Sequence, residues 1–356
     1  MRFIGSKVLL LNHIKEMVGE KAAGSETFCD IFSGTAAVAR YFKQWYEVTS
    51  NDLLYFSYVL QKATIENDEV PTFELLKART GIADPITYLS NLDPRYMEAI
   101  LPREKRFFQN TYAPSGGRMY LTDENALRID FARNTVENWK DGFCITDNEY
   151  YYLVACIVEG IPFVSNISGT YGAYHKTWDR RSHKKYELFR LDVCRNGRRN
   201  RCYNRDGADL LKEVSGDILY IDPPYNERQY LPNYHVLETA ARYDYPDVHG
   251  VTAQRSGDNE KSDFCQKGKV EAAFASLLES ARFRHIILSY STDGLMSPET
   301  IEDIMKTYGD PETFEMRRIP YRRYKSRSLS KEAELSELLV YIQKPDKCLS
   351  VSSAFS

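Results

Sequence analysis

Apolar positions recur at two different spacings along this chain, and the switches between them mark out its elements. Val8, Leu11, Ile14 and Val18 fall at helical spacing. This predicts an amphipathic helix over 6–18, with Ser6 as its N-cap. TFCDIFSGTAAVARYFK then predicts a strand (TFCDIF), a tight turn (SGT) and a helix (AAVARYFK). YEVTSNDLL predicts a second strand that ends in polar Asn51 and Asp52. Strand, helix and strand in that order open a βαβ unit and favour a parallel sheet.

From about 60 to 200 this rhythm fades. Helical stretches such as YYYLVACIVEG, a glycine-rich turn (APSGGRMY) and mixed basic segments replace it, which predicts an inserted, mainly helical domain. Near 204 the alternation resumes. GDILYIDPPY and RHIILSYST predict buried strands, and NYHVLETAARY predicts a helix. TFEMRRIPYRRY and ELLVYIQK predict a late antiparallel pair. Between the NYHVLETAARY helix and the RHIILSYST strand, residues 245–270 are polar and lack periodicity, and a long loop of this kind in a compact protein is usually functional or disordered. The domains expected are therefore 1–60 with 204–345, an insertion over 61–203, and a C-terminal tail over 346–356.

Composition narrows the class. The chain has 356 residues, 43% hydrophobic and 27% charged, as soluble globular proteins do. No stretch approaches the roughly 18 apolar residues of a membrane helix, and no signal-peptide cleavage pattern follows the N-terminal apolar run. The seven cysteines form no C-x-x-C pair, so neither a disulfide framework nor a metal site is expected, and reduced cytoplasmic thiols are. The net charge is −3, so a polyanionic partner must meet local basic patches. Three stretches qualify: 175–185 with Lys176, Arg180 and Arg181, 195–205 with Arg198, Arg199 and Arg201, and 317–327 with Arg322, Arg323 and Lys325. A single charge run is usually a solvated face; three on a near-neutral chain favour a DNA groove.

Two motifs carry chemistry. DIFSGTA follows a strand and opens a helix, yet holds one firm glycine, Gly34, where a dinucleotide fold has G-x-G-x-x-G. Asp52, at the next strand end, has the spacing of a ribose-binding acid. A small turn with a ribose acid and no phosphate cradle suits S-adenosylmethionine better than NAD. The second motif is Asp222, Pro223, Pro224 and Tyr225, at the tip of an apolar strand. The prolines donate no N–H and hold the chain extended. The tip thus presents a carboxylate, a bare carbonyl and an aromatic ring. Asp222 and the Pro223 carbonyl can accept the two N–H groups of an exocyclic amine, and Tyr225 can stack on its base.

Together these motifs resemble the adenine-specific (N6) DNA methyltransferases of the Dam-like group. RFIGSK at 2–7 is similar to that group's N-terminal motif, DIFSGTA to its F-x-G-x-G turn with Ala36 in place of the second glycine, and DPPY to its catalytic motif. The likeness is greatest to methyltransferases that accompany type IIS restriction enzymes, and it covers roughly 1–60 and 204–345. It implies a Rossmann-like α/β sheet, mostly parallel with an antiparallel last strand, and a target-recognition role for the insertion. It implies S-adenosylmethionine contacts at Phe3, Lys7, Asp30, Phe32, Gly34, Asp52 and Asp222. Asp206 either approaches the cofactor adenine or simply caps a helix. The expected partners are double-stranded DNA and a paired restriction endonuclease, with the protein a monomer. Two alternatives stay open: methylation of an RNA base, and a non-catalytic DNA-binding specificity subunit.

Overall fold

The computed structural model describes residues 7–227, 229–256, 262–320 and 336–345. These divide into two compact units. A sheet unit holds 7–53, 198–227, 229, 262–320 and 336–345; a helical unit holds 54–197 and 230–256.

Nine strands are present among the described residues: β1 (Thr27–Asp30), β2 (Glu47–Asn51), β3 (Arg201–Tyr203), β4 (Ser215–Ile221), β5 (Val248–His249), β6 (Gln254–Arg255), β7 (Arg282–Ser291), β8 (Glu315–Pro320) and β9 (Ser336–Gln343). Seven form one sheet in the order β3-β2-β1-β4-β7-β9-β8. Pairing is parallel from β3 through β7. Strand β9 runs antiparallel to both β7 and β8, so it alone is reversed. The expected α/β sheet with a late antiparallel pair is the one observed.

The strand sequences explain this arrangement. Strands of a sheet covered on both faces read as continuous apolar runs. β7 is buried from His285 to Ser291 and β9 from Glu337 to Ile342. Side chains alternate between two cores. Leu219, Ile221, Leu338, Val340 and Ile342 join one, with the helices Val270–Ser280 and Pro298–Tyr308. Ile218, Tyr220, Leu339 and Tyr341 join the other, with the helix Leu11–Lys21. Burying each such side chain contributes roughly 1.5–3 kcal/mol.

The first helix differs from expectation: a 3-10 turn over Lys7–Leu10 precedes the α-helix Leu11–Lys21. Ser6, the expected cap, lies outside the described residues. β3 was not expected at all. It lies inside a basic stretch, pairs with β2, and is too short to show alternation.

The helical unit is built on two long helices. Asp123–Asp141 is capped by Thr122, whose side chain accepts from the Asn125 N–H. Asp147–Gly160 begins with a capping box of Thr146 and Glu149. Their apolar faces meet the helix Tyr55–Gln61 and the helix Tyr230–Arg242 in one core that includes Phe56, Leu153, Ile157 and Val236. The unit's bounds differ from 61–203. The helix over 230–242, expected within the 204–345 part of the sheet domain, packs here instead, because Tyr234, Val236, Leu237 and Ala240 form an apolar face that matches this core. β5 and β6 pair as a short ribbon at the end of the same segment. No described helix is long and apolar enough to cross a membrane.

Candidate active site at the strand ends

In an open parallel sheet the crossovers diverge where the strand order reverses, and a crevice opens at the carboxyl ends there. Here the reversal lies between β1 and β4. Asp30 ends β1 opposite Tyr220 in the register, and Asp222 follows the last residue of β4. The expected cofactor turn and the expected catalytic tip therefore arise on adjacent strands.

The turn after β1 is tied down on several sides. Gly34 has φ +51° and Ala36 has φ +60°. Both are left-handed conformations that glycine adopts without strain. Asp52 Oδ2 accepts the Gly34 N–H at 2.8 Å, and the Ser33 N–H reaches the Asn51 carbonyl at 2.9 Å. Asn51 is buried, and its side-chain amide donates to the carbonyls of Ile31 (3.1 Å) and Arg205 (3.0 Å). Its oxygen accepts the Arg205 N–H at 3.0 Å. One side chain thus joins the ends of β1, β2 and β3. Sequence reasoning passed over it, although it stands next to Asp52 in SND.

Asp30 is buried, with Oδ2 accepting the Ala39 N–H at 3.2 Å. Its Oδ1 is buried and has no hydrogen-bond partner among the described residues. Burial first, then the negative charge of Asp222, hold its carboxyl well above the ordinary value. The ring of Phe32 is half-buried and meets Phe264 edge-on at 5.1 Å. Phe264 is a neighbour that sequence did not single out. Asp206 is the N-cap of the helix Gly207–Leu211 and accepts from the Ala208 and Asp209 N–H groups, which is the second of its two expected roles.

At the DPPY tip, Asp222 Oδ1 lies 3.0 Å from Lys7 Nζ. Lys7 is also 3.6 Å from Glu337 Oε2 and 5.5 Å from the centre of the Tyr225 ring. Lys7 is 3% exposed, Asp222 17% and Glu337 9%. Burial opposes the Lys7 charge, but the two carboxylates more than offset it, leaving the ammonium harder to deprotonate than an ordinary lysine. Burial raises the Asp222 carboxyl to about 6; Lys7 draws it down and Glu337 pushes it up. The sequence pointed to Lys7 and Asp222 but not to Glu337, which looks like the polar start of an apolar strand.

Pro223 is buried and Pro224 half-buried. Tyr225 is buried, with Tyr290 edge-on at 6.3 Å, and its carbonyl accepts the Leu295 N–H at 2.9 Å. The loop after β7 therefore braces the tip.

The basic residues separate. Lys176 and Arg180 are exposed in the helical unit, whereas Arg198, Arg199 and Arg201 are exposed in the sheet unit. Arg181 is engaged internally, donating to the Ile167 carbonyl and pairing with Asp179. Phe3, Arg322, Arg323 and Lys325 lie outside the described residues.

A family profile described as D12 class N6 adenine-specific DNA methyltransferase matches residues 3–304. The chain belongs to that family. It is 49% identical over 347 residues to the type II methyltransferase M.FokI of Planomicrobium okeanokoites, covering 97% of this chain and 53% of that protein. It is 44% identical over 345 residues to the modification methylase StsI of Streptococcus sanguinis, covering 97% and 52%. The type II methyltransferase M.NlaIII of Neisseria lactamica is 35% identical over 333 residues, covering 92% and 93%. The chain spans about half the length of the first two.

Proposed function

We propose that this protein transfers a methyl group from S-adenosylmethionine to the N6 amino group of adenine within a short DNA sequence. The observation that carries this reading is the position of Asp222, an ionisable carboxylate at the carboxyl end of β4, on the strand next to the β1 turn. The residues at that turn fit the cofactor. Asp30 Oδ1, buried and unpartnered among the described residues, suits a cationic amine, and Asp52 beside the Gly34 turn suits ribose hydroxyls. Lys7, Phe32, Asp206 and the undescribed Phe3 are further candidates for the cofactor side. When bound, the cofactor supplies an electrophilic methyl group on a sulfonium centre.

The protein's own part follows from the chemistry of an aromatic amine. Its lone pair is delocalised into the ring, so it is a weak nucleophile. The Asp222 carboxylate and the Pro223 carbonyl accept its two N–H groups and draw the nitrogen toward tetrahedral geometry, freeing the lone pair. The departing N6 proton passes to a carboxylate oxygen of Asp222. The target base leaves the duplex at a cost of roughly a few kcal/mol, and stacking on Tyr225 returns roughly 1–3 kcal/mol. Tyr290 meets that ring edge-on, and the Leu295 N–H holds the Tyr225 backbone carbonyl.

The helical unit serves target recognition in this reading; its Lys176 and Arg180 are candidates for phosphate contacts, as are Arg198, Arg199 and Arg201 of the sheet unit. The relatives named as modification methylases support a pairing with a restriction endonuclease. The protein acts as a cytoplasmic monomer in the same reading. The test is to treat plasmid DNA with the purified protein and S-adenosylmethionine, then sequence single molecules for N6-methyladenine. Modified adenines in one short context are expected. Cofactor binding without modified DNA would redirect the reading to RNA, and no cofactor binding would overturn it.

A further inference from the structure

Glu337 is a buried charge where the surrounding strand offers none. Leu338 to Ile342 are apolar and buried, and Glu337 is the second residue of β9, opposite Ser291. Because β9 alone is reversed, its first residues lie at the edge where β4 and β7 end. Its neighbours at every second position, Leu339 and Tyr341, face the same core as the helix Leu11–Lys21. That is the face from which Lys7 arrives. Burying a carboxylate is costly unless a cation meets it, and a cation that meets it here, Lys7, also meets Asp222.

We infer that Glu337 is a positioning residue for methyl transfer: it shares the Lys7 ammonium with Asp222, so that Asp222 remains available to the target amino group. This inference rests on the proposed reading of function. Two carboxylates thus draw on one ammonium. When an amine presents its N–H groups to Asp222, Lys7 stays charged and held by Glu337. Without Glu337 the ammonium commits to Asp222 and occupies the lone pairs that the amine requires. The carboxylate then becomes both a weaker base and a busier acceptor.

Other groups face Asp222 and stay constant in this comparison. Asp30 on β1, Tyr220 on β4 and Tyr225 on the tip all couple electrostatically to it. The test therefore changes Glu337 alone. Glu337→Gln keeps the shape and removes the charge; Glu337→Asp keeps the charge on a shorter stem. The first readout is the titration of the Asp222 carboxyl carbon by NMR in the protein without cofactor or DNA. The second is the pH profile of kcat with saturating DNA and S-adenosylmethionine.

In Glu337→Gln, the Asp222 titration and the acid limb of kcat are expected to move down together by roughly one pH unit. The plateau kcat should fall roughly tenfold with KM for DNA unchanged, and Glu337→Asp should recover most of both. An unmoved titration or acid limb would overturn the inference, as would failure of both variants to fold, which would assign Glu337 to stability alone. If the wild-type protein methylates no adenine, the reading of function fails, while the carbon titration still decides whether the charge is shared.

Discussion

The Asp52 carboxylate accepts the Gly34 amide proton at 2.8 Å, tying the end of β2 to the turn that follows β1. One side chain therefore shapes the turn and, in the proposed reading, also meets the cofactor's ribose. A carboxylate has two oxygens and about four lone-pair sites, so it can accept a ribose hydroxyl as well as the Gly34 N–H. Asp52→Asn keeps an acceptor for Gly34 and loses the charge. Its Kd for S-adenosylmethionine should rise by roughly tenfold to a hundredfold, as loss of a charged hydrogen bond implies, with little change in Tm. Asp52→Ala should lower Tm as well. Calorimetric titration and thermal melting separate the two.

Ala36 stands where glycine would be unstrained. Replacing it relieves roughly 1–2 kcal/mol of left-handed strain. Against this stand about 0.4–1 kcal/mol of unfolded-chain entropy and about 0.8 kcal/mol for a buried methyl group. These offset, so Ala36→Gly should leave stability within about 1 kcal/mol of wild type. Ala39 is equally buried but sits inside the helix Ala37–Phe42. There Ala39→Gly gains nothing and should cost about 2 kcal/mol. Urea titration of both variants is the check, and equal losses would show that Ala36 is not strained.

The elevated Asp222 carboxyl sets a pH dependence. In the proposed reading methyl transfer needs the ionised form, so kcat should fall tenfold per pH unit below about 6. The stability effect has the opposite sense. The folded-state value lies above the ordinary 3.8, so the native protein binds more protons than the unfolded chain in that window. Its contribution to stability is present at low pH and is lost as pH rises from about 4 through about 6. Asp222→Asn should abolish activity and flatten this part of the stability profile. Activity at full cofactor saturation and denaturant titrations between pH 4 and 7 measure the two effects.

In the helical unit, Glu238 accepts the N–H groups of Tyr55 (3.0 Å) and Phe56 (2.9 Å) and pairs with Arg242. It thereby caps a helix whose own N-cap position, Leu54, makes no side-chain cap. Glu238→Ala leaves a buried helix start unsatisfied and should cost about 3 kcal/mol. Glu238→Gln keeps an acceptor and should cost about 1 kcal/mol. Loss of helical signal in urea reads both.

The elements legible in advance were those whose side chains repeat. β1, β4, β7 and β9 are covered on both faces, so their apolar runs are continuous, and the turn and DPPY tip announced themselves by residue type. Features made by distant residues were not legible. Glu337 lies more than a hundred positions from Asp222, and its burial depends on a reversed strand. β3 is three residues long and sits among arginines that suggest solvent. Arg181 has the same composition cues as Arg180, yet its guanidinium is engaged by a carbonyl and a carboxylate. The helix over 230–242 follows the catalytic strand in sequence but carries an apolar face made for another core.

The described chain leaves the sheet unit for the helical unit at Leu54 and at Tyr230, three residues after β2 ends and nine after β4 ends. Neither departure interrupts a strand or the ladder that joins β1, β4, β7 and β9. Insertions, deletions or wholesale exchange of the helical segments thus leave the backbone register beneath Asp30, Asp222 and Glu337 untouched. Evolution can revise one part of such a chain freely while the reaction chemistry is inherited unchanged.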